Sequence, residues 1–192
     1  GSSKISILNN YLRLNFFLNN NRLKVIKSNL RSKNLLINSD GVIKFDPFFE
    51  INTNIFIKKI DNKLLHRLNL EKIIKYQEIL KKLNITSKID YKRKKLSNNL
   101  VINSSSNFNL AYGRLNFASI INIDGGDIDC KGESLLIEEY PRLEFVCSIN
   151  IKDKKRIFKS FLISKKDDNN PFILNIEGSL NLLNKKINFK KI

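Results

Sequence analysis

Apolar and polar residues alternate along most of the chain. In residues 170–189, NPFILNIEGSLNLLNKKINF, Phe172, Leu174 and Ile176 share one side of an extended strand, and the alternation resumes after Gly178. Because successive side chains of a strand point to opposite faces, this pattern predicts strands with one apolar face. About fourteen strands are predicted in this way. Their short connections favour antiparallel neighbours, so the predicted fold is mainly β: one long, curved, groove-like antiparallel meander sheet.

Turn signals divide the strands. Asp40 and Gly41 form a typical hairpin-turn pair, and we predict a turn there. Asp46 and Pro47 interrupt the next apolar alternation, which predicts a bend or a short connection because proline cannot donate to a strand ladder. The segment DGGD, residues 124–127, predicts a further turn. The segment RIFKSFLIS, residues 156–164, is predicted to be a strand.

One interval has helical periodicity. In residues 61–84 we predict a short helix, a break near Asn69 and a longer helix that ends at about Leu83 and packs across one face or one end of the sheet. We interpret residues 1–192 as a single β-rich domain in which 61–84 is a helical insertion, and GSS at residues 1–3 as a tag remnant on a fragment of a longer protein. The apolar positions at helical spacing are Leu70, Ile73, Ile74, Leu80 and Leu83.

The chain is strongly basic. It has 35 lysines and arginines against 18 acidic residues, a formal net charge of +17. Lysine, asparagine and isoleucine dominate, as AT-rich codons produce, and the basic residues are spread in short groups such as 58–59, 81–82, 92–95 and 154–156. No aromatic residues interleave with these groups as a base-stacking platform requires. We therefore predict a solvated basic surface and no nucleic-acid partner, with an anionic-membrane or polyanion patch as the alternative.

Residues suited to catalysis or metal binding are scarce. His66 is the only histidine, and a lone histidine is a poor start for a triad or a metal site. Asp124, Asp127 and Asp129 lack the EF-hand spacing, and no phosphate-binding glycine motif or nucleophile elbow occurs. We predict no enzyme activity, no catalytic residue, no metal and no cofactor. The longest apolar runs have only three residues, whereas a spanning helix needs about 20.

Two cysteines flank a predicted turn at residues 139–142. A hairpin centred there places Cys130 opposite Ile151 and Cys147 opposite Ser134, so the two cysteines are offset by about four residues. A disulfide then requires the ladder to slip or bulge, and would suit an oxidising compartment. Two buried, inert thiols are the alternative, which this register slightly favours.

The apolar face of such a sheet has two possible uses. It can be buried as an ordinary core with the helix across it, or part of it can remain an open groove for a ligand. The candidate groove residues are Phe49, Ile51, Ile55, Ile57, Leu174, Ile176 and Leu180.

Three segments resemble AsmA-like proteins, the family that includes TamB and YhdP. Residues 41–65 and 172–192 are similar to segments of that family in which a strand ends in a glycine step, here Gly178-Ser179-Leu180-Asn181-Leu182. The run INIDGGDIDCKGESLLIE, residues 121–138, is similar to its strand, glycine-containing turn and second strand. These patterns cover about half of the chain, which lacks the family's N-terminal membrane helix.

The resemblance implies a location and a role. AsmA-like proteins are tethered to the inner membrane and project a grooved β-sheet into the periplasm, where they are linked to phospholipid transport and outer-membrane biogenesis. We therefore expect a non-enzymatic periplasmic module that shields the acyl chains of phospholipid, tethered to the membrane through parts of a parent protein. A periplasmic location would make a Cys130–Cys147 disulfide chemically possible. The alternatives are a structural or protein-interaction scaffold and, third, a basic polyanion-binding domain; no oligomeric state is indicated.

Overall fold

The computed structural model describes residues 1–7, 10–61, 74–93, 100–160 and 170–192. It is mainly β, with 69% of the described residues in strands, and forms one twelve-stranded sheet that does not close into a barrel. Two short helices, α1 (Gln77–Leu80) and α2 (Lys154–Ser160), complete the described secondary structure. The strands are β1 (Ser2–Ile7), β2 (Asn10–Asn19), β3 (Arg22–Arg31), β4 (Leu35–Lys44), β5 (Glu50–Ile60), β6 (Asn84–Lys92), β7 (Val101–Ala111), β8 (Arg114–Ile123), β9 (Gly126–Leu135), β10 (Arg142–Ile151), β11 (Phe172–Asn181) and β12 (Ile187–Lys191).

The strands lie in the sheet in chain order, from β1 to β12. Ten of the neighbouring pairs are antiparallel, which confirms the predicted meander; β5 and β6 are parallel. Parallel neighbours need a long crossover, and here the connection is residues 61–83. The described residues thus contain twelve strands where the alternation predicted about fourteen.

The register sorts the side chains into two chemically distinct faces. Directly paired residues point to the same side of a sheet, so cross-strand rows can be followed from strand to strand. We call one side the apolar face. One of its rows, from β4 to β11, consists of Ser39, Ile55, Ile89, Ser106, Ser119, Cys130, Cys147 and Ile176.

The opposite side, the polar face, carries charged and amide side chains that contact each other between strands. Lys44 and Glu50 are direct partners in the β4–β5 ladder and form a 2.7 Å ion pair. Between β7 and β8, the Asn122 side-chain amide donates to Asn103 Oδ1 at 2.6 Å. A face of this kind is stable in water without a covering layer, so only the apolar face needs burial or a partner.

Among the described residues, the fully buried leucine and isoleucine side chains lie at the two ends of the apolar face, whereas Ser87, Ser119 and Gly178 are buried in its middle. The α1 end cluster contains Ile74, Leu80, Leu136 and Leu182, with the nearby ends of β7, β8, β10 and β11 packed against it. All other buried leucines and isoleucines of the described residues belong to the α2 end cluster: Ile123, Ile151 and Ile157. Between the two clusters the apolar face is largely half-buried.

Residues 156–160 are helical, so the strand predicted for residues 156–164 is wrong over this part; residues 161–164 lie outside the described residues. Asp153 favours the start of a helix here. Its Oδ1 accepts a hydrogen bond from the Arg156 backbone N–H at 3.1 Å, as the side chain of an N-cap residue does. Ile157 of α2 then packs against Ile123 and Ile151. A helix therefore allows both the hydrogen bond to Asp153 and the packing of Ile157 over the end of the apolar face.

The helical interval is partly described. Ile74 and Leu80 are buried at one end of the sheet, where the apolar spacing predicted packing. The predicted continuous helix to Leu83 is wrong, because Tyr76 has a non-helical backbone (ψ 50°) and α1 ends at Leu80. The predicted first helix, the break near Asn69, and His66 lie outside the described residues.

The turn predictions have different outcomes. The turn at Asp124 and Gly125 is confirmed: it joins β8 to β9, and Gly125 has a φ of +103°. Asp46 and Pro47 lie in the connection from β4 to β5, as predicted, and their peptide bond is cis. The turn at Asp40 and Gly41 is wrong, since both lie within β4. A Cβ at Gly41 would be 2.4 Å from the Asn52 carbonyl oxygen, so glycine here permits a close strand approach.

Candidate functional site

Six of the seven predicted groove residues lie on the apolar face. Ile55 and Ile176 belong to one cross-strand row, and Ile57 and Leu174 belong to the next. Ile51 and Leu180 lie on the same face, towards the α1 end. Six strand spacings separate β5 from β11, about 29 Å along a sheet. The structure therefore places these residues on one surface, in two groups rather than in one pocket.

The seventh candidate, Phe49, is not in a strand. It lies in the connection that precedes β5, with 37% of its surface exposed, and its ring is 6.1 Å from that of Phe45. The prediction extended the strand one residue too far towards the N-terminus, because β5 begins at Glu50. Phe49 therefore borders the apolar face at the turn end of the β4–β5 hairpin.

Across β4–β11, the four central rows of the apolar face contain no charged residue. Four of its hydroxyl groups pair with each other within the face, whereas Ser134 Oγ, in the row nearest the α1 end, is buried without a hydrogen-bond partner. Thr53 Oγ1 donates to Ser87 Oγ at 3.0 Å, and the Ser106 and Ser119 hydroxyl oxygens are 2.6 Å apart. Because the hydroxyls of Thr53, Ser87, Ser106 and Ser119 already have partners, an apolar molecule above them would not leave them unsatisfied.

Aromatic side chains that were not among the predicted site residues form the centre of this face. Phe108 and Phe117 are stacked, with ring centroids 6.2 Å apart. Phe117 lies over Gly132 and Phe145 over Gly178, since added Cβ atoms would be 2.6 Å and 2.9 Å from the two rings. The signal was available, because all three phenylalanines occur in alternating apolar positions.

Cys130 and Cys147 form a disulfide on this face. They are direct partners in the β9–β10 ladder, with Cα atoms 4.1 Å apart, so the predicted four-residue offset is wrong. The connection comprises residues 136–141 and is centred two residues earlier than predicted, because Leu136 leaves the strand to join the α1 end cluster. Both cysteines are half-buried, so the alternative of two buried free thiols is also wrong.

The extent of exposed surface is large for the mass of the chain. Its solvent-accessible area is 13921 Å² for 22.3 kDa. A compact monomer of this mass exposes about 9,400 Å². The excess agrees with an extended sheet whose two faces are not folded onto each other.

The polar face carries the clearest electrostatic interactions. Hydrogen bonds from Lys44, at 2.7 Å, and from Asn52, at 2.8 Å, lower the pKa of Glu50. A hydrogen bond to Glu144 raises the pKa of Lys190. In the part of the chain that the structure describes, no three histidine, cysteine or acidic residues are grouped as metal ligands, and no helix is long and apolar enough to span a membrane.

Together these features define an open, mostly antiparallel sheet with one uncharged apolar face across β4–β11. Comparison of the chain with models of protein families, with curated proteins and with solved structures finds no match. The resemblance to AsmA-like proteins accordingly stays a prediction, and the functional argument rests on the geometry of the face.

Proposed function

We propose that this protein is a non-enzymatic lipid-binding module whose apolar face shields the acyl chains of phospholipid. The observation that carries the proposal is the uncharged apolar face between β4 and β11, backed by a polar face on the other side. Among the described residues, the fully buried leucines and isoleucines lie only at its two ends, so the half-buried apolar side chains between them have contact area to offer.

The dimensions and energetics of the face favour this ligand. Twelve strands extend about 53 Å across the sheet, and ten-residue strands are about 33 Å long. Each methylene removed from water contributes roughly 0.8 kcal/mol. The binding free energy of an acyl chain therefore grows with the length of chain in contact with the face. The paired hydroxyls of Thr53, Ser87, Ser106 and Ser119 add no desolvation cost. The proposed contact is therefore a surface of isoleucine, leucine and phenylalanine without polar recognition.

The setting we propose is the periplasm, with transfer of phospholipid from the inner to the outer membrane and a tether to the inner membrane in a longer parent protein. The Cys130–Cys147 disulfide supports an oxidising compartment. The net charge of +17 favours approach to anionic headgroups, at about 1 kcal/mol for each basic residue near the surface. The AsmA-like resemblance of residues 41–65 and 172–192 implies the same setting.

A protein-interaction scaffold is the second candidate, favoured by the edges of the sheet. On the edge strand β12, Ile187 and Phe189 are 52% and 57% exposed, and on β1 Ile7 is 61% exposed. Unpaired edges of this kind accept a strand from another chain. Partner binding would then depend on β1 or β12 and not on the middle of the apolar face.

Organic extraction of purified protein followed by lipid mass spectrometry tests the first proposal. We expect phospholipid at a reproducible molar ratio in the wild-type protein, and loss of that lipid in a variant that places carboxylates on the apolar face. Folding of each variant is checked by circular dichroism, and a single Ile176→Asp variant provides a milder change. The triple variant is Ile51→Asp, Ile55→Asp and Ile176→Asp.

The chain offers a matched control on the polar face. Three apolar side chains there are 39%, 55% and 65% exposed, and the same substitutions should leave lipid retention unchanged. Lipid retained by the apolar-face variants, or absent from the folded wild-type protein exposed to phospholipid vesicles, would contradict the proposal. The control substitutions are Phe56→Asp, Ile120→Asp and Ile173→Asp.

A further inference from the structure

A cleft of about 1110 Å³ lies on the polar face, at the β1 end of the sheet. It is thus on the other side of the sheet from the proposed lipid surface. Its lining is dominated by cationic side chains, joined by the phenol of Tyr11. We call it the basic cleft, and its cations are Lys4, Arg13, Arg31, Lys33 and Lys59.

The sheet register assembles these charges from distant parts of the chain. Lys4 of β1 is the direct partner of Arg13 in β2. Arg31 of β3 pairs with Leu36 of β4, which in turn pairs with Lys59 of β5. Neighbouring strands are about 4.8 Å apart, so positions dispersed over more than fifty residues of sequence become adjacent on one face.

The cleft cations lack acidic partners, which some other cations on this face have. Lys44 pairs with Glu50, and Lys190 with Glu144. Among the described residues, no carboxylate forms an ion pair with any cation of the basic cleft. Lys59 Nζ donates instead to the Lys33 carbonyl oxygen at 2.7 Å, which ties β5 to the β3–β4 connection. Concentrated positive charge without compensation attracts anions.

We infer that the basic cleft binds an anion that carries two or more phosphate groups. Two guanidinium groups, from Arg13 and Arg31, can each present a planar pair of N–H donors to phosphate oxygens, and the lysines add point charges around them. The volume exceeds that of one phosphate group, so a clustered anion uses more of the donors at once. Because the cleft is not part of the apolar face, this inference stands or falls independently of lipid binding.

Isothermal titration calorimetry with tripolyphosphate tests the inference on the full chain. We expect saturable binding that weakens as sodium chloride is raised. Replacing three cleft cations should weaken it at least tenfold. The test variant is Arg13→Gln, Arg31→Gln and Lys33→Gln, which leaves the Lys59 side chain in place.

A control with the same charge change separates the cleft from the general field of a basic protein. The control residues are exposed on the polar face, do not line the cleft, and form no ion pair among the described residues. Both triple variants lower the net charge by three, so long-range attraction changes equally; we expect less than a twofold effect in the control. Equal losses in the two variants, or no binding by the wild-type protein, would overturn the inference. The control substitutions are Lys24→Gln, Arg114→Gln and Lys131→Gln.

A second measurement identifies the source of the phosphate groups. Flotation with vesicles that contain cardiolipin, whose headgroup carries two phosphate groups, is compared with flotation with phosphatidylcholine vesicles, with and without tripolyphosphate. If the cleft variant loses vesicle binding and tripolyphosphate competes with the vesicles, the ligand is a membrane headgroup. If the cleft variant loses tripolyphosphate binding but keeps vesicle binding, the ligand is a soluble phosphorylated anion. Both results support the basic cleft as the binding site. Unchanged tripolyphosphate affinity in the cleft variant would contradict that assignment.

Discussion

Two leucines close together in sequence test where the sheet is packed and where it is open. Leu182 follows β11 in the α1 end cluster and is 5% exposed. Leu174, in β11, is half-buried on the apolar face. Leu182→Ala removes buried methyl groups and leaves a closed cavity, with a cost of about 3.5 kcal/mol. Leu174→Ala should cost about 1.5 kcal/mol, because it removes less buried area and opens to solvent.

The assay is thermal unfolding followed by circular dichroism. Unfolding 192 residues at about 2.1 cal/mol/K per residue gives an entropy of about 0.40 kcal/mol/K at the midpoint. The expected decreases in Tm are therefore about 9 °C for Leu182→Ala and about 4 °C for Leu174→Ala. Equal decreases would refute the reasoning, since the middle of the apolar face would then be packed as tightly as its ends and would have no surface to offer a lipid.

Two further predictions concern links across the sheet. Reducing the Cys130–Cys147 disulfide should lower the free energy of unfolding by about 3 kcal/mol, because the disulfide closes a loop of 17 residues in the unfolded chain. Reductant should therefore lower the Tm of the wild-type protein but not that of a double-serine variant. A shift in both proteins would contradict this account. Lys44 lowers the pKa of Glu50 below its ordinary 4.5, so the ionised pair stabilises the fold above that pH and its contribution is lost as the pH falls through the folded-state pKa. Glu50→Gln should therefore be less stable than the wild-type protein at pH 7, with a difference that shrinks towards pH 3 in urea unfolding; a difference independent of pH would exclude this linkage.

Much of the apolar face could be predicted from sequence, because a period of two depends only on the geometry of an extended chain. The alternation around Ile55 and around Ile176 placed both correctly on a face with neighbouring apolar residues. It could not show that they share a row, since that depends on the register of every strand between them. Phe117 and Phe145 had the same local signal, but their central position follows only from the pairing of β8–β11.

The errors arose where a local signal was outweighed by a contact elsewhere in the fold. The turn before β10 was placed two residues late, because Leu136 is drawn into the α1 end cluster and the ladder ends earlier. The resulting shift aligns Cys130 with Cys147. Gly41 resembles a turn glycine, yet it lies where a neighbouring backbone carbonyl leaves no space for a Cβ. In each case the deciding atom belongs to a different strand or connection.

By itself, the sequence of this protein determined a mainly β meander, its amphipathic strands and the absence of an evident catalytic motif, because these depend on residue types and on spacing within one strand. Tertiary structure alone decided which residues meet. It joined the two cysteines, turned residues 154–160 into a helix at the end of the apolar face, and gathered dispersed lysines and arginines into the basic cleft. The physical reason is that register and crossover connections couple positions far apart in the chain, and no local pattern records that coupling.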